Sequence, residues 1–250
     1  MRTLGIDFAA QPVNTALCEM VWDADSATVV QVAGMVTDDV IRAFVQGPPS
    51  RIFGVDVPFG WPAEFVAFVA AHHARTQTDP DVSMAAMRLR TSDQFIHERF
   101  KKQPLSVSTD KLAIPAIRCA RLLQEFGVTN RAGDGRWYEV YPAAARLAWD
   151  LPAKDNATAL ALIQTQCPIA FASPGLHAAL LDSEHAFDAL LCSLATRAAA
   201  LGMTYLPPAE LLQAAKDEGW IHAPVPGSLS TLISAETAEA EILAMRASEV

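Results

Sequence analysis

The chain has 250 residues, 51% of them hydrophobic, which suits one α/β domain with a large core. Its formal net charge of -9 and pI near 5.1 exclude a uniformly basic nucleic-acid-binding surface but leave room for a local basic patch. The four cysteines (Cys18, Cys119, Cys167, Cys192) are scattered without a C-x-x-C pair, so they read as reduced, mostly buried thiols rather than zinc ligands or a disulfide frame. The first residues, MRTLGIDFAAQ, lack an apolar signal region, and no stretch of about 18 apolar residues suggests a membrane span. The expected location is cytoplasmic.

Residues 3–9 alternate, with Leu4, Ile6 and Phe8 on one side and Gly5, Asp7 and Ala9 on the other, which predicts a strand carrying an acid on one face. Residues 14–22 and 27–36 predict two more strands, joined by turn chemistry at Asp23–Asp25. Thr37 is placed as an N-cap, with Asp38 and Asp39 in the first turn and Gly47-Pro48-Pro49 as the stop. The segment RIFGVDVPFGWP, from Arg51 to Pro62, then reads as a buried strand with Asp56 at its tip. A meander followed by a helical crossover returns this fourth strand parallel to the first. Asp7 and Asp56 then share the carboxyl edge of the sheet, where open α/β sheets place their ligands.

Past Pro62 the expectation is a helix, then irregular polar chain over 75–112, then a helix over 113–126 ended by Gly127. A fifth strand over 136–141 carries Glu139. The clearest late helix is 184–201, with Asp182 or Ser183 as N-cap, Gly202 at C′, and Asp188 among its apolar residues. A short strand is expected in EGWIHAPV, and an amphipathic helix near 236–247 could serve a homodimer contact.

Asp7, Asp56, Glu139 and Asp188 are each an acid inside a largely apolar element. An unpaired buried carboxylate costs several kcal/mol, so each must be neutralised, paired or bound to a cation. One alone reads equally well as a structural carboxylate. Several together fit Mg²⁺ or Mn²⁺, which need oxygen ligands from separate chain positions and which two-metal phosphoryl transfer surrounds with carboxylates.

From Ala86 to Arg121 the chain carries eight basic and three acidic residues, a local balance of +5. Lys, Arg, Ser and Thr together are what phosphate contacts use. Arg88, Arg90, Thr91, Asp93, Ser106, Ser108 and Lys111 are the candidates for substrate phosphates, while Arg99, Lys101 and Lys102 read as solvated surface. Walker-type and G-x-S-x-G motifs are absent. His72, His73 and His185 read as helix surface, and Trp61, Trp137 and Trp220 as packing.

The ordered segments GIDFAA, VDVPFGWP, RLRTSDQF, PLSVSTDK, EVYPAAA and HAFDALLCSLATRAAALG resemble the family known as domain of unknown function 429, predicted nucleases with a ribonuclease-H-like fold. The resemblance spans roughly residues 3–225. It implies a mixed α/β sheet flanked by helices, one domain over 1–250, and a mostly helical insertion at about 62–112, between strands 4 and 5. It implies metal ligation by Asp7, Asp56 and Asp188, with Glu139 the weaker catalytic candidate and Glu184 able to assist Asp188. The function expected is metal-dependent phosphodiester hydrolysis, acting on nucleic acid or a small phosphorylated substrate. Two alternatives stand: another phosphoryl transfer of the actin or sugar-kinase kind, and a non-catalytic binding protein on the same fold.

Overall fold

The computed structural model describes residues 1–233, so the helix expected near 236–247 lies outside the described residues. The chain forms a mixed α/β structure around a six-stranded open sheet: β1 (Arg2–Asp7), β2 (Ala16–Trp22), β3 (Ala27–Ala33), β4 (Arg51–Asp56), β5 (Trp137–Glu139) and β6 (Ile169–Phe171). The order across the sheet is β5-β4-β1-β2-β3-β6. The β1–β2 and β2–β3 pairs are antiparallel, and β1–β4, β4–β5 and β3–β6 are parallel. The meander, the crossover and the parallel return of β4 beside β1 are therefore as the sequence predicts.

The crossover is α1 (Asp38–Val45), where the Thr37 side chain accepts from the Val40 N–H. Three helices, α2 (Ala63–Ala74), α3 (Met84–Arg88) and α4 (Thr91–Phe100), follow β4. Two of them fall where irregular chain was expected. The polar run TSDQ starts α4 because the Asp93 carboxylate reaches back to the Arg90 N–H and caps the helix. Next come α5 (Ala113–Glu125), α6 (Pro142–Ala148), α7 (Asn156–Gln166), α8 (Pro174–Leu181), α9 (Glu184–Ala200) and α10 (Leu212–Glu218). The segment at 219–226 is not a full strand: Ile221 makes one bridge to Glu139, and Pro224 one to Thr204. The sequence reading missed β6, a three-residue strand between Pro168 and Pro174 that is too short to show alternation.

Both faces of the sheet are covered. Leu4, Ile6, Phe53 and Val55 pack with Ile41 of α1 and with Ala116, Cys119 and Leu122 of α5. The opposite face carries Gly5, Gly54 and the two strand-end acids, and lies against α9. This helix is buried nearly all round, as a helix apolar on every side must be. Ser183 caps it by accepting from the Ala186 N–H, and Gly202 follows its end at φ +72°. All four cysteines are free and buried. Among the described residues no helix is long and apolar enough to cross a membrane.

Candidate functional site

The site is built by register. Asp7 and Asp56 end β1 and β4 and are direct partners in the parallel ladder. Each acid follows a glycine by two residues, so Gly5 and Gly54 lie on the same face as the carboxylates. That face is where α9 approaches most closely. A Cβ on Gly5 would overlap the Ala189 carbonyl oxygen and the Ser193 amide nitrogen, and a Cβ on Gly54 would overlap Thr196 Oγ1. Hydrogen bonds fix the same contact: Trp22 Nε1 donates to Thr3 Oγ1 at 2.8 Å, and Thr3 Oγ1 lies 2.7 Å from Ser193 Oγ. With α9 seated on the glycines, Asp188, one residue before Ala189, lies near enough for its charge to act on both acids.

The electrostatics record this convergence. Burial first, then the charges of Asp7, Asp188 and Glu139, push the Asp56 carboxyl well above the usual carboxylate range. Burial also raises Asp7, to about 6, against a lowering hydrogen bond from His185; the Asp188 charge adds to the rise. Asp188 is raised by burial, opposed by Arg146. Three like charges thus meet in a half-covered crevice. Among the described residues no hydrogen-bond donor serves the Asp56 carboxylate, and no three His, Cys, Asp or Glu side chains form a ready-made metal group.

Two residues that the sequence reading did not place complete the crevice. His185 Nδ1 lies 2.6 Å from Asp7 Oδ2, so this histidine, expected on the helix surface, faces the site with about half of its side chain exposed. The signal was available: His185 precedes Asp188 by three residues and shares its helix face. Arg146 of α6 donates to Pro152 O and Asn156 Oδ1 at 2.8 Å and more loosely to Asp188 Oδ1 at 3.4 Å. No local pattern in the sequence marks it.

Glu139 stands apart from the three aspartates. Both its oxygens are taken: Oε1 accepts from Arg90 Nη2 at 2.7 Å, and Oε2 from Arg90 Nη1 at 2.8 Å and from the Phe59 N–H at 2.9 Å. It is a paired structural carboxylate in this arrangement. The same network corrects the expectation for Arg90. Its guanidinium is 1% exposed, and all five of its N–H bonds are spent on Asp93, Glu139 and the Glu218 carbonyl, leaving no donor for a phosphate. Thr91 donates its N–H and Oγ1 to Glu218 Oε2, and Asp93 serves Arg90 and the α4 cap. Ser106 donates to the Arg88 carbonyl and accepts from Ser108 N and Thr109 N; Ser108 Oγ is buried without a partner. Of the seven phosphate candidates, Arg88 and Lys111 are exposed and carry no ion pair among the described residues.

Glu218 was missed outright. Its Oε1 accepts from Ala63 N at 2.8 Å and its Oε2 from Thr91 N at 2.8 Å. One carboxylate thereby satisfies the orphan N–H groups at the starts of α2 and α4, where the helix dipoles favour negative charge. The tryptophans pack as expected. Trp137 stacks on Phe53 and Phe126, and Trp220 is fully buried with Nε1 donating to Tyr205 O.

No curated protein and no solved structure matches the chain. A family model described as protein of unknown function (DUF429) does, over residues 5–211, a span that includes all three aspartates of the crevice, and the chain belongs to that family.

Proposed function

We propose that the protein is a divalent-metal-dependent phosphodiester hydrolase, a nuclease, on a ribonuclease-H-like frame. The observation that carries the reading is the register pairing of Asp7 with Asp56, with Asp188 brought over them by the glycine-floored seat of α9. The strand order β3-β2-β1-β4-β5, antiparallel only at β2, supports the frame, with α2 to α4 read as the insertion between β4 and β5.

The chemistry of the donors suits a hard cation, although among the described residues they are not gathered into a ready-made metal group. Three carboxylates that repel one another, one of them without a hydrogen-bond donor, are what Mg²⁺ or Mn²⁺ relieves. Asp7, Asp56 and Asp188 would hold the ion, which supplies a nucleophilic water at neutral pH and neutralises charge on the phosphoryl oxygens. His185 orients Asp7 through its 2.6 Å contact, and Arg146 restrains Asp188. Arg88 and Lys111 are the cations left free to meet substrate phosphates. The seat of α9 closes one side of the crevice to bulk water.

The test is hydrolysis of labelled DNA and RNA oligonucleotides and of bis(p-nitrophenyl) phosphate in millimolar Mn²⁺ or Mg²⁺. The expected result is cleavage abolished by EDTA and reduced by about 100-fold or more in Asp56→Asn. Cleavage that survives chelation, or an Asp56→Asn protein as active as wild type, would overturn the assignment.

A further inference from the structure

The segment EVYPAAA carries an acid and a phenol two residues apart. The acid is Glu139, whose oxygens are taken by Arg90 and the Phe59 N–H. The phenol, Tyr141, holds nothing in the fold through its hydroxyl. Strand β5 ends at Glu139, and the Val140 N–H donates to Val55 O at 3.1 Å, one residue before Asp56. Tyr141 follows directly, beside the tip of β4 that carries Asp56. Pro142 then opens α6, and the Ala145 N–H closes the first turn on Tyr141 O at 3.0 Å. The Tyr141 side chain packs against the cluster of Ile96, Ala144, Ile221 and Ala223, which leaves the residue half-buried.

The other donors around the crevice are spent. His185 Nδ1 is held by Asp7, and Arg146 by Pro152 O, Asn156 and Asp188. Among the described residues the Tyr141 hydroxyl makes no hydrogen bond, yet it is not sealed from solvent as the unpartnered Ser92 and Ser108 hydroxyls are. Burial first, then the charges of Asp56 and Asp93, push the phenol up to about 12. It therefore keeps its proton at neutral pH, and it stands close enough to Asp56 for that charge to act on it. A phosphodiester brings two non-bridging oxygens that share one negative charge. On the hydrolase reading, on which this inference rests, one of them turns towards the cation that the carboxylates hold. The other faces like charge unless a donor meets it, and a donor fixed in place before the substrate arrives is the effective kind.

We propose that Tyr141 is a catalytic residue of the crevice, its hydroxyl donating a hydrogen bond to a non-bridging phosphoryl oxygen of a phosphodiester bound at Asp7, Asp56 and Asp188.

The test begins with fluorine NMR. The chain has three tyrosines, Tyr138, Tyr141 and Tyr205, so 3-fluorotyrosine labelling gives signals that Tyr138→Phe, Tyr141→Phe and Tyr205→Phe assign. Dimethyl phosphate, a diester too inert to be cleaved during the measurement, is titrated into the full chain in millimolar Mg²⁺. The expected result is a saturable shift of the Tyr141 signal with the other two unmoved. In the hydrolysis of bis(p-nitrophenyl) phosphate, Tyr141→Phe should lower kcat/KM about 10- to 100-fold and leave the half-saturating Mn²⁺ concentration unchanged. Its melting temperature should match wild type, because the hydroxyl has no partner in the fold. A Tyr141 signal unmoved at every concentration of dimethyl phosphate would overturn the proposal. So would a Tyr141→Phe protein that cleaves as fast as wild type, or one whose loss of rate follows a lowered melting temperature. If wild type cleaves nothing, the hydrolase reading falls by itself, and the fluorine titration still decides whether Tyr141 meets a phosphodiester.

Discussion

At the scale of single residues, the crevice stores repulsion. The Asp7 carboxyl titrates at about 6 when folded, against an ordinary value of 3.8. A raised folded pKa means that the acid favours folding while protonated, below pH 3.8, and that this contribution is lost as pH rises through 6. The ceiling of the effect is about 3 kcal/mol, at 1.36 kcal/mol per unit. Asp7→Asn keeps the shape and can still accept from His185. It should melt above wild type at pH 8 and converge with it near pH 4. Adding millimolar Mn²⁺ should raise the wild-type melting temperature and leave Asp7→Asn unmoved. A variant that melts below wild type at pH 8 would contradict the account. Arg90 is the converse case. Arg90→Met leaves Asp93 and Glu139 buried without their cation, at a cost of about 3–5 kcal/mol read as a lowered denaturation midpoint. A midpoint unchanged within error would show that the two acids find other partners. The acids themselves were legible in the sequence, because a carboxylate in an apolar strand has few excuses. Their division into free and paired was not: Asp56 and Glu139 look alike in sequence, and only the arrival of Arg90 from 49 residues away distinguishes them.

At the scale of elements, the decisive contact is helix α9 on β1 and β4. Two glycines floor it, and their backbone angles are ordinary, so the need for glycine is steric and not conformational. Gly54→Ala should therefore be strongly destabilising, by about 3 kcal/mol or more, through overlap with Thr196 Oγ1. Pairing it with Thr196→Ala removes the struck atom and should recover part of the loss. If the double variant melts no higher than Gly54→Ala alone, the clash lies elsewhere. The elements at this scale were largely readable. Strands β1 to β4, α1, α5 and α9 follow from alternation, caps and stops within one or two turns of chain. The elements the sequence reading missed, α3, α4 and β6, share one cause. They lack a readable apolar period: α3 and β6 are too short to show one, and α4 is mostly polar and held by its Asp93 cap and by a distant partner, Glu218, at its start.

At the scale of the whole molecule, two buried groups oppose one another in their pH dependence. His222 is pushed down to about 4 by burial, held neutral between Thr204 Oγ1 and the Ala132 carbonyl. A depressed histidine contributes stability above its unfolded value of 6.5, and this is lost as pH falls towards 4. Asp7 gains over much of the same range. Wild-type stability should accordingly change little across pH 6.5 to 4 on their account. His222→Gln should remove the loss on acidification and let stability rise as pH falls. A wild-type and a His222→Gln profile of the same slope would show that the imidazole is not held neutral.

The sequence by itself determined the class of the molecule: a mixed sheet, the parallel return of β4 to β1, and acids at two adjacent strand ends. Those features depend on local chemistry, namely alternation, turn residues and the short reach of a crossover, and local chemistry is written in consecutive residues. The tertiary structure decided how the acids are partnered. It set His185 on Asp7 and Arg146 near Asp188, closed Arg90 over Glu139, gave Glu218 two helix starts to hold, and left α2 uncovered. Each of these joins residues tens to nearly two hundred positions apart. Charge pairing and burial are properties of neighbours in space, and a chain names its neighbours in space only after it has folded.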